Sequence, residues 1–197
     1  MNSQTNKPKN KQTGRPMNSQ TDIPMNHQEN PKDLKKQSFS VQFIVQGALI
    51  AAIYVVLTIT FAPISFNVMQ IRISEILTIL PFFTPAAVPG LFLGCLIGNL
   101  LGGGVILDII FGSLATLIGA WLGYLLRFNR WLVPIPSILS NAVIIPLVLK
   151  YGYGMNLSLP LMAAYVALGE WISCFVLGEL FATVLIKRRV FTSEENL

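Results

Sequence analysis

The stretch PGLFLGCLIGNLLGG, residues 89–103, places glycines at 90, 94, 98 and 102 in an otherwise apolar run. A spacing of four returns each glycine to one side of a helix, about a turn further on. Such a ridge lets a neighbouring backbone approach closely, which is how helices pack where lipid rather than water surrounds them. The stretch therefore reads as one member of a membrane helix bundle. Its neighbours repeat the pattern: Gly112, Thr116 and Ala120, with Ala115, Gly119 and Gly123, then Gly169 with Ser173 and Gly178 with Ala182. Ala48 and Ala52 form a small pair in the first apolar run, suited to another helix of the chain or to a partner protein.

Composition points the same way. Of 197 residues, 53% are hydrophobic and only 12% charged, which is too apolar for an ordinary soluble domain. Residues 41–186 hold little polar sequence, leaving no room for a soluble catalytic domain. The net charge of +5 comes from clusters between apolar runs and in the first 40 residues, not from a patch suited to nucleic acid. Cys95 and Cys174 lie within apolar runs and read as small buried side chains rather than a disulfide framework.

Six candidate spans follow, at residues 41–62, 72–84, 87–101, 106–126, 134–149 and 159–186. A helix needs about 20 apolar residues to cross the bilayer core, so the second and third, which meet at a proline-rich turn, are short. The fold class is all-α, a six-transmembrane-helix bundle. Lys32, Lys35 and Lys36, the RFNR of 127–130 and the KRR of 187–189 all fall on one side of it. The positive-inside rule makes that side, and both termini, cytoplasmic. Residues 1–40 are polar and basic, with MNSQT at Met1 and again at Met17, and read as a disordered cytoplasmic tail containing the lone His27. They do not have the form of a cleavable signal. The expected organisation is a tail over 1–40, a membrane domain over 41–187 and a short cytoplasmic tail over 188–197.

Five ionisable residues lie in or beside apolar runs: Arg72, Glu75, Asp108, Glu170 and Glu179. A charge near the bilayer centre costs about 2.5–3.5 kcal/mol on insertion scales, so such groups face a protein interior or a wet cavity. Arg72, Glu75, Asn99 and Asp108 fall at the outer ends of their helices, and Glu170 with Trp171 lies about 16 Å down the sixth. Polar groups thus converge on the outer half. Glu179, nine residues beyond Glu170, falls on the opposite face and suits a structural or partner contact. Structural readings compete: Arg72 and Glu75, three apart, can pair with each other, and Asp108 can complement its helix N-terminus. Glu170 has no basic residue near it in its own helix, which favours a ligand role. No phosphate loop, His-Glu-x-x-His or G-x-S-x-G motif is present, so neither ATP hydrolysis nor hydrolase chemistry is expected of this chain. A membrane enzyme and a non-transporting scaffold are the rival readings.

FAPISFNVMQIRISEILTILPFF (61–83), PGLFLGCLIGNLLGG (89–103), LDIIFGSLATLIGA (107–120) and GEW (169–171) together resemble the QueT family of queuosine-precursor transporters, over about residues 41–187. The resemblance implies the substrate-binding S component of an energy-coupling factor (ECF) transporter, in the plasma membrane. It implies a six-helix bundle working with a coupling transmembrane subunit and two ATPase subunits, which use the ATP; no cofactor is expected in this chain. Substrates would be 7-deazaguanines, such as the 7-aminomethyl or 7-cyano compound or queuine, bound beneath the loop 61–70. Docking of the coupling subunit would use the small face of Ala48 and Ala52. On this reading a carboxylate of Glu170 or Glu75 accepts the guanine-like N–H edge, and Asp108 meets an aminomethyl cation. Asn99 or Asn141 reads the ring polar atoms, and Trp171, Phe66 or Tyr151 stacks on the heterocycle. A different vitamin-like solute is the alternative within the same class.

Overall fold

The computed structural model describes residues 31–62 and 71–190, with residues 31–40 as backbone only. Among the described residues every regular element is helical. The first helix, α1, runs Pro31–Thr60, so it begins within the segment expected to be tail and enters the apolar run without a break. α2 is Ile73–Phe82, α3 is Ala87–Leu101, α4 is Asp108–Leu125, α5 is Ile135–Tyr151 and α6 is Leu159–Lys187. A single 3₁₀ turn, Arg130–Leu132, joins α4 to α5.

Four helices are long and apolar enough to cross a bilayer: α1 from Val41, α4, α5 with its preceding turn, and α6. The two segments that looked short from sequence, α2 and α3, fall below that length. For α2 the packing gives the reason. It touches α1, α3, α4 and the part of α6 from Trp171 on, and Ser74, Glu75, Leu77, Thr78, Ile79, Leu80 and Pro81 along it are buried. An element enclosed by the other helices has no lipid thickness to match. It is also wound as a 3₁₀ helix for its whole length, which is long for that form. Pro81 has no N–H to give to the tighter ladder, and the Thr78 hydroxyl donates to the Glu75 carbonyl at 2.6 Å.

The glycine ridge of α3 meets α1. A Cβ on Gly90 would come 2.7 Å from the Gly47 carbonyl oxygen, one on Gly94 would come 2.7 Å from Tyr54 Cβ, and one on Gly98 would come 3.1 Å from Thr58 Cβ. Each glycine is therefore a place where the α1 backbone or a first side-chain carbon occupies the space of a side chain. Gly119 and Gly123 do the same for α4, receiving Ser137 and Val133. Ile50, Tyr54, Leu77, Leu80, Leu91 and Cys95 form the central apolar cluster. The outside is apolar as well, with exposed Leu, Ile, Val and Trp side chains from every long helix, as a lipid-facing surface requires. Ala48 and Ala52 are exposed, so no described helix of the chain covers the small face of α1.

Two helices are locally unwound to π geometry, and each π stretch lies at a buried carboxylate. Asp108–Gly112 opens α4 with Asp108, and Trp171–Leu177 follows directly on Glu170 within α6. Single π turns of this kind frequently mark functional positions, because the wider turn re-aims the side chains around it.

Candidate functional site

The loop from α1 re-enters the bundle at Arg72, whose side chain is only 2% exposed. Its guanidinium does not pair with Glu75, the partner the sequence spacing suggested. Nη2 instead donates to Asp108 at the head of α4, at 3.0 Å to Oδ1 and 3.2 Å to Oδ2. Arg72 is the residue before α2 and has extended backbone, φ −88° and ψ 103°, so the helical spacing that would bring it over Glu75 does not apply to it. The Tyr153 hydroxyl also donates to Asp108 Oδ2, at 3.1 Å, and the Asn99 amide donates to the Asp108 main-chain oxygen at 3.2 Å. Partial burial, then the neighbouring Asp108 carboxylate, pushes the Tyr153 phenol up to about 12, so it stays a donor. Both carboxylate oxygens of Asp108 thus already accept from the protein, Oδ1 once and Oδ2 twice.

Glu75 points elsewhere. Its Oε1 accepts from the Tyr54 hydroxyl of α1 at 2.6 Å and from the Thr116 hydroxyl of α4 at 3.5 Å. Its Oε2 is buried with no protein partner. Glu170 of α6, also fully buried, accepts from the Cys174 thiol on Oε2 at 3.0 Å and leaves Oε1 unpartnered. One carboxylate oxygen each of Glu75 and Glu170 and the Cys174 sulfur lie within 4.8 Å of one another. Asn141 of α5 is buried within reach of the Glu170 carboxylate, and beyond that carboxylate its amide has no partner among the described residues. Ser137, Ser173, and Nε and Nη1 of Arg72 are buried and unpartnered too.

Buried polar groups in folded proteins are nearly always hydrogen-bonded, and an orphan costs about 1–3 kcal/mol. Here free acceptors, free donors and an amide offering both gather where α2, α5 and α6 meet. Arg72, Glu75, Asp108 and Glu170 make one buried cation against three buried carboxylates; its hydrogen bonds go to Asp108, while its charge also acts on Glu75 and Glu170. The centre around Glu75 and Glu170 is therefore short of positive charge and of hydrogen-bond partners, as a site awaiting a polar ligand would be.

Of the expected site residues, the structure brings Arg72, Asn99 and Asp108 into one network and Glu75, Asn141 and Glu170 into the adjoining centre. Trp171 is not among them. It is 50% exposed and stacks on Phe175, with ring centroids 5.9 Å apart, on the outer face of the bundle. Tyr151 is 70% exposed. Phe66, like the rest of residues 63–70, lies outside the described residues. Glu179 pairs with Arg130 Nε at 3.3 Å, away from the centre, in keeping with its opposite helical face. Tyr54, Thr116, Cys174 and Tyr153 were not expected as site residues; Thr116 and Cys174 were read only as packing residues. Cys174, four residues after Glu170, carried a same-face signal that could have found it.

Helices of membrane-crossing length around a buried, partly unpartnered polar centre define an integral membrane protein of the solute-handling kind. The sequence comparisons agree: the model of the family described as QueT transporter matches residues 44–187, and the chain belongs to that family. The family is one of transporters, not enzymes. Among individual relatives, a protein of Lactococcus lactis subsp. cremoris (strain MG1363) named Queuosine precursor transporter QueT is 40% identical over 90 residues. That alignment takes in 45% of this chain and 52% of the relative, so the chain spans about half the length of the curated protein it matches. No solved structure matches the chain.

Proposed function

We propose that this chain is the substrate-capturing S component of an ECF importer for queuosine precursors, lodged in the plasma membrane with both termini in the cytoplasm. On this reading α2 and α3 complete a six-helix bundle, and a 7-deazaguanine is held between Glu75, Glu170 and Asn141. The observation that carries it is the pair of fully buried carboxylates with one free oxygen each, beside an amide whose only partner among the described residues is Glu170. A guanine-like edge offers an N–H and an amino group side by side, which one carboxylate accepts together, while an amide reads a ring carbonyl and nitrogen. The second carboxylate then has a use if the ligand carries a cation. That favours the amine-bearing members, 7-aminomethyl-7-deazaguanine and queuine, over the neutral nitrile. The relative's name supports the queuosine-precursor class.

Coupling to a transmembrane partner and two ATPases would use the uncovered small face of α1 at Ala48 and Ala52. The direct test is calorimetry of the purified chain against a panel of 7-deazaguanines. Binding that Glu170→Gln weakens at least tenfold, about 1.4 kcal/mol, is expected. A panel without any affinity refutes the substrate class, and uptake by this chain without its ATPases refutes the ECF assignment.

A further inference from the structure

We propose that Glu75, Glu170 and Cys174 form a second kind of site, one for a thiophilic divalent cation of the Zn²⁺ class, which shares its ligands with the organic pocket. Three donor groups of the right chemistry converge: two carboxylates and a thiol whose ligand atoms lie within 4.8 Å of one another. All three residues are fully buried. A tetrahedral centre with Zn–S of about 2.3 Å and Zn–O of about 2.1 Å sets its ligand atoms about 3.4–3.6 Å apart. Cys174 Sγ and Glu170 Oε2 already stand at 3.0 Å. Small side-chain rotations therefore close the site without moving a helix.

Independent observations point to an absent ligand there. Glu75 Oε2 and Glu170 Oε1 are buried and accept nothing, and Asn141, beside Glu170, has a free Oδ1 able to serve as a fourth oxygen donor. Charge supports it as well. Among the described residues Arg72 is the one cation nearby; it bonds Asp108 at 3.0 Å and is shared by all three carboxylates, so the two glutamates have no counter-ion to themselves. On binding, the Cys174 S–H bond breaks, its proton leaves to solvent, and sulfur and the two carboxylate oxygens each form a bond to the metal. Any proton held on the two glutamates leaves with that of the thiol, because each oxygen that bonds the metal must be deprotonated. The thiol decides the class of metal: Mg²⁺ and Ca²⁺ take oxygen ligands, whereas thiolate selects Zn²⁺ and its softer relatives.

The probe is Cd²⁺, whose bond to thiolate absorbs in the ultraviolet, titrated into purified, chelator-treated chain. The expected result is one Cd²⁺ per chain with the thiolate-to-cadmium band. That band is kept in Cys95→Ser, lost in Cys174→Ser, and needs at least tenfold more metal in Glu170→Gln and Glu75→Gln. The two serine variants are near-isosteric, so they answer the question even if a glutamine variant fails to fold. No band in the parent chain, a band that survives Cys174→Ser, or one unmoved by folded glutamine variants overturns the proposal. Titrating a 7-deazaguanine into the same protein with chelator present separates the two readings. If it binds, it is expected to compete with Cd²⁺; if it does not, the substrate assignment falls and the metal result stands alone.

Discussion

Replacing the ridge glycines of α3 one at a time by alanine tests the fold at the contact that organises it. Two effects oppose each other. Alanine is the better helix former by about 1 kcal/mol, and a methyl group forced into filled space costs about 1–3 kcal/mol. Distances decide which wins. At Gly90 the new Cβ lies 2.7 Å from the Gly47 carbonyl oxygen and 3.2 Å from its Cα, about 1 Å inside a comfortable separation. That neighbour is backbone, so only movement of all of α1 relieves it. At Gly94 the obstacle is Tyr54, at 2.7 Å from Cβ and 3.0 Å from Cγ. Pushing that ring away also draws its hydroxyl off Glu75, where it donates at 2.6 Å. At Gly98 the closest atoms belong to the Thr58 side chain at 3.1 Å, a milder conflict. At Gly178 in α6 nothing comes nearer than 3.6 Å, which is ordinary contact. The expected order of thermal stability in detergent is Gly178→Ala at or above the parent, then Gly98→Ala, then Gly94→Ala and Gly90→Ala, the last two lower by about 1–2 kcal/mol from the difference of the two effects. Gly94→Ala should in addition weaken ligand binding more than its loss of stability explains. Unfolding curves in which Gly90→Ala and Gly94→Ala match Gly178→Ala would refute the α1–α3 packing.

Arg72→Met leaves Asp108 buried without its cation, so unfolding measurements should show a loss of about 3–5 kcal/mol, and Arg72→Met with Asp108→Leu should recover much of it. A double variant no better than the single one would mean that the pair is not the unit described. Arg130→Ala removes a partner that is 29% exposed, so its loss should stay within about 1 kcal/mol, with ligand affinity unchanged by calorimetry. Ala52→Trp places bulk on an uncovered face and should leave folding and ligand binding intact while abolishing ATP-driven uptake in cells that hold the partner subunits; undiminished uptake would place docking elsewhere.

Apolar run lengths and the four-residue glycine period exposed the membrane class, most helix positions and the α3 contact face, because each depends on residues near one another in the chain. They did not expose how α2 is wound. Ten residues of 3₁₀ helix with a proline inside arise from enclosure by α1, α3, α4 and α6, not from local preference. Nor did they expose where α2 starts. A helix running through Arg72 invites an Arg72–Glu75 pair, but Arg72 stays extended before the first helical residue and its guanidinium goes to Asp108 of α4 instead. The expense of carboxylates in apolar sequence therefore identified which residues matter, while their division of labour depended on geometry that no spacing rule contains. Trp171 shows the same limit from the other side. Adjacent to Glu170 in sequence, it starts the π stretch and turns outward, whereas Cys174, one wider turn on, points in at the carboxylate. A buried carboxylate in a membrane helix is thus better searched for partners three and four residues away and on facing helices than at its immediate neighbours. By that rule Tyr54, Thr116, Asn141 and Cys174 all fall around the two glutamates.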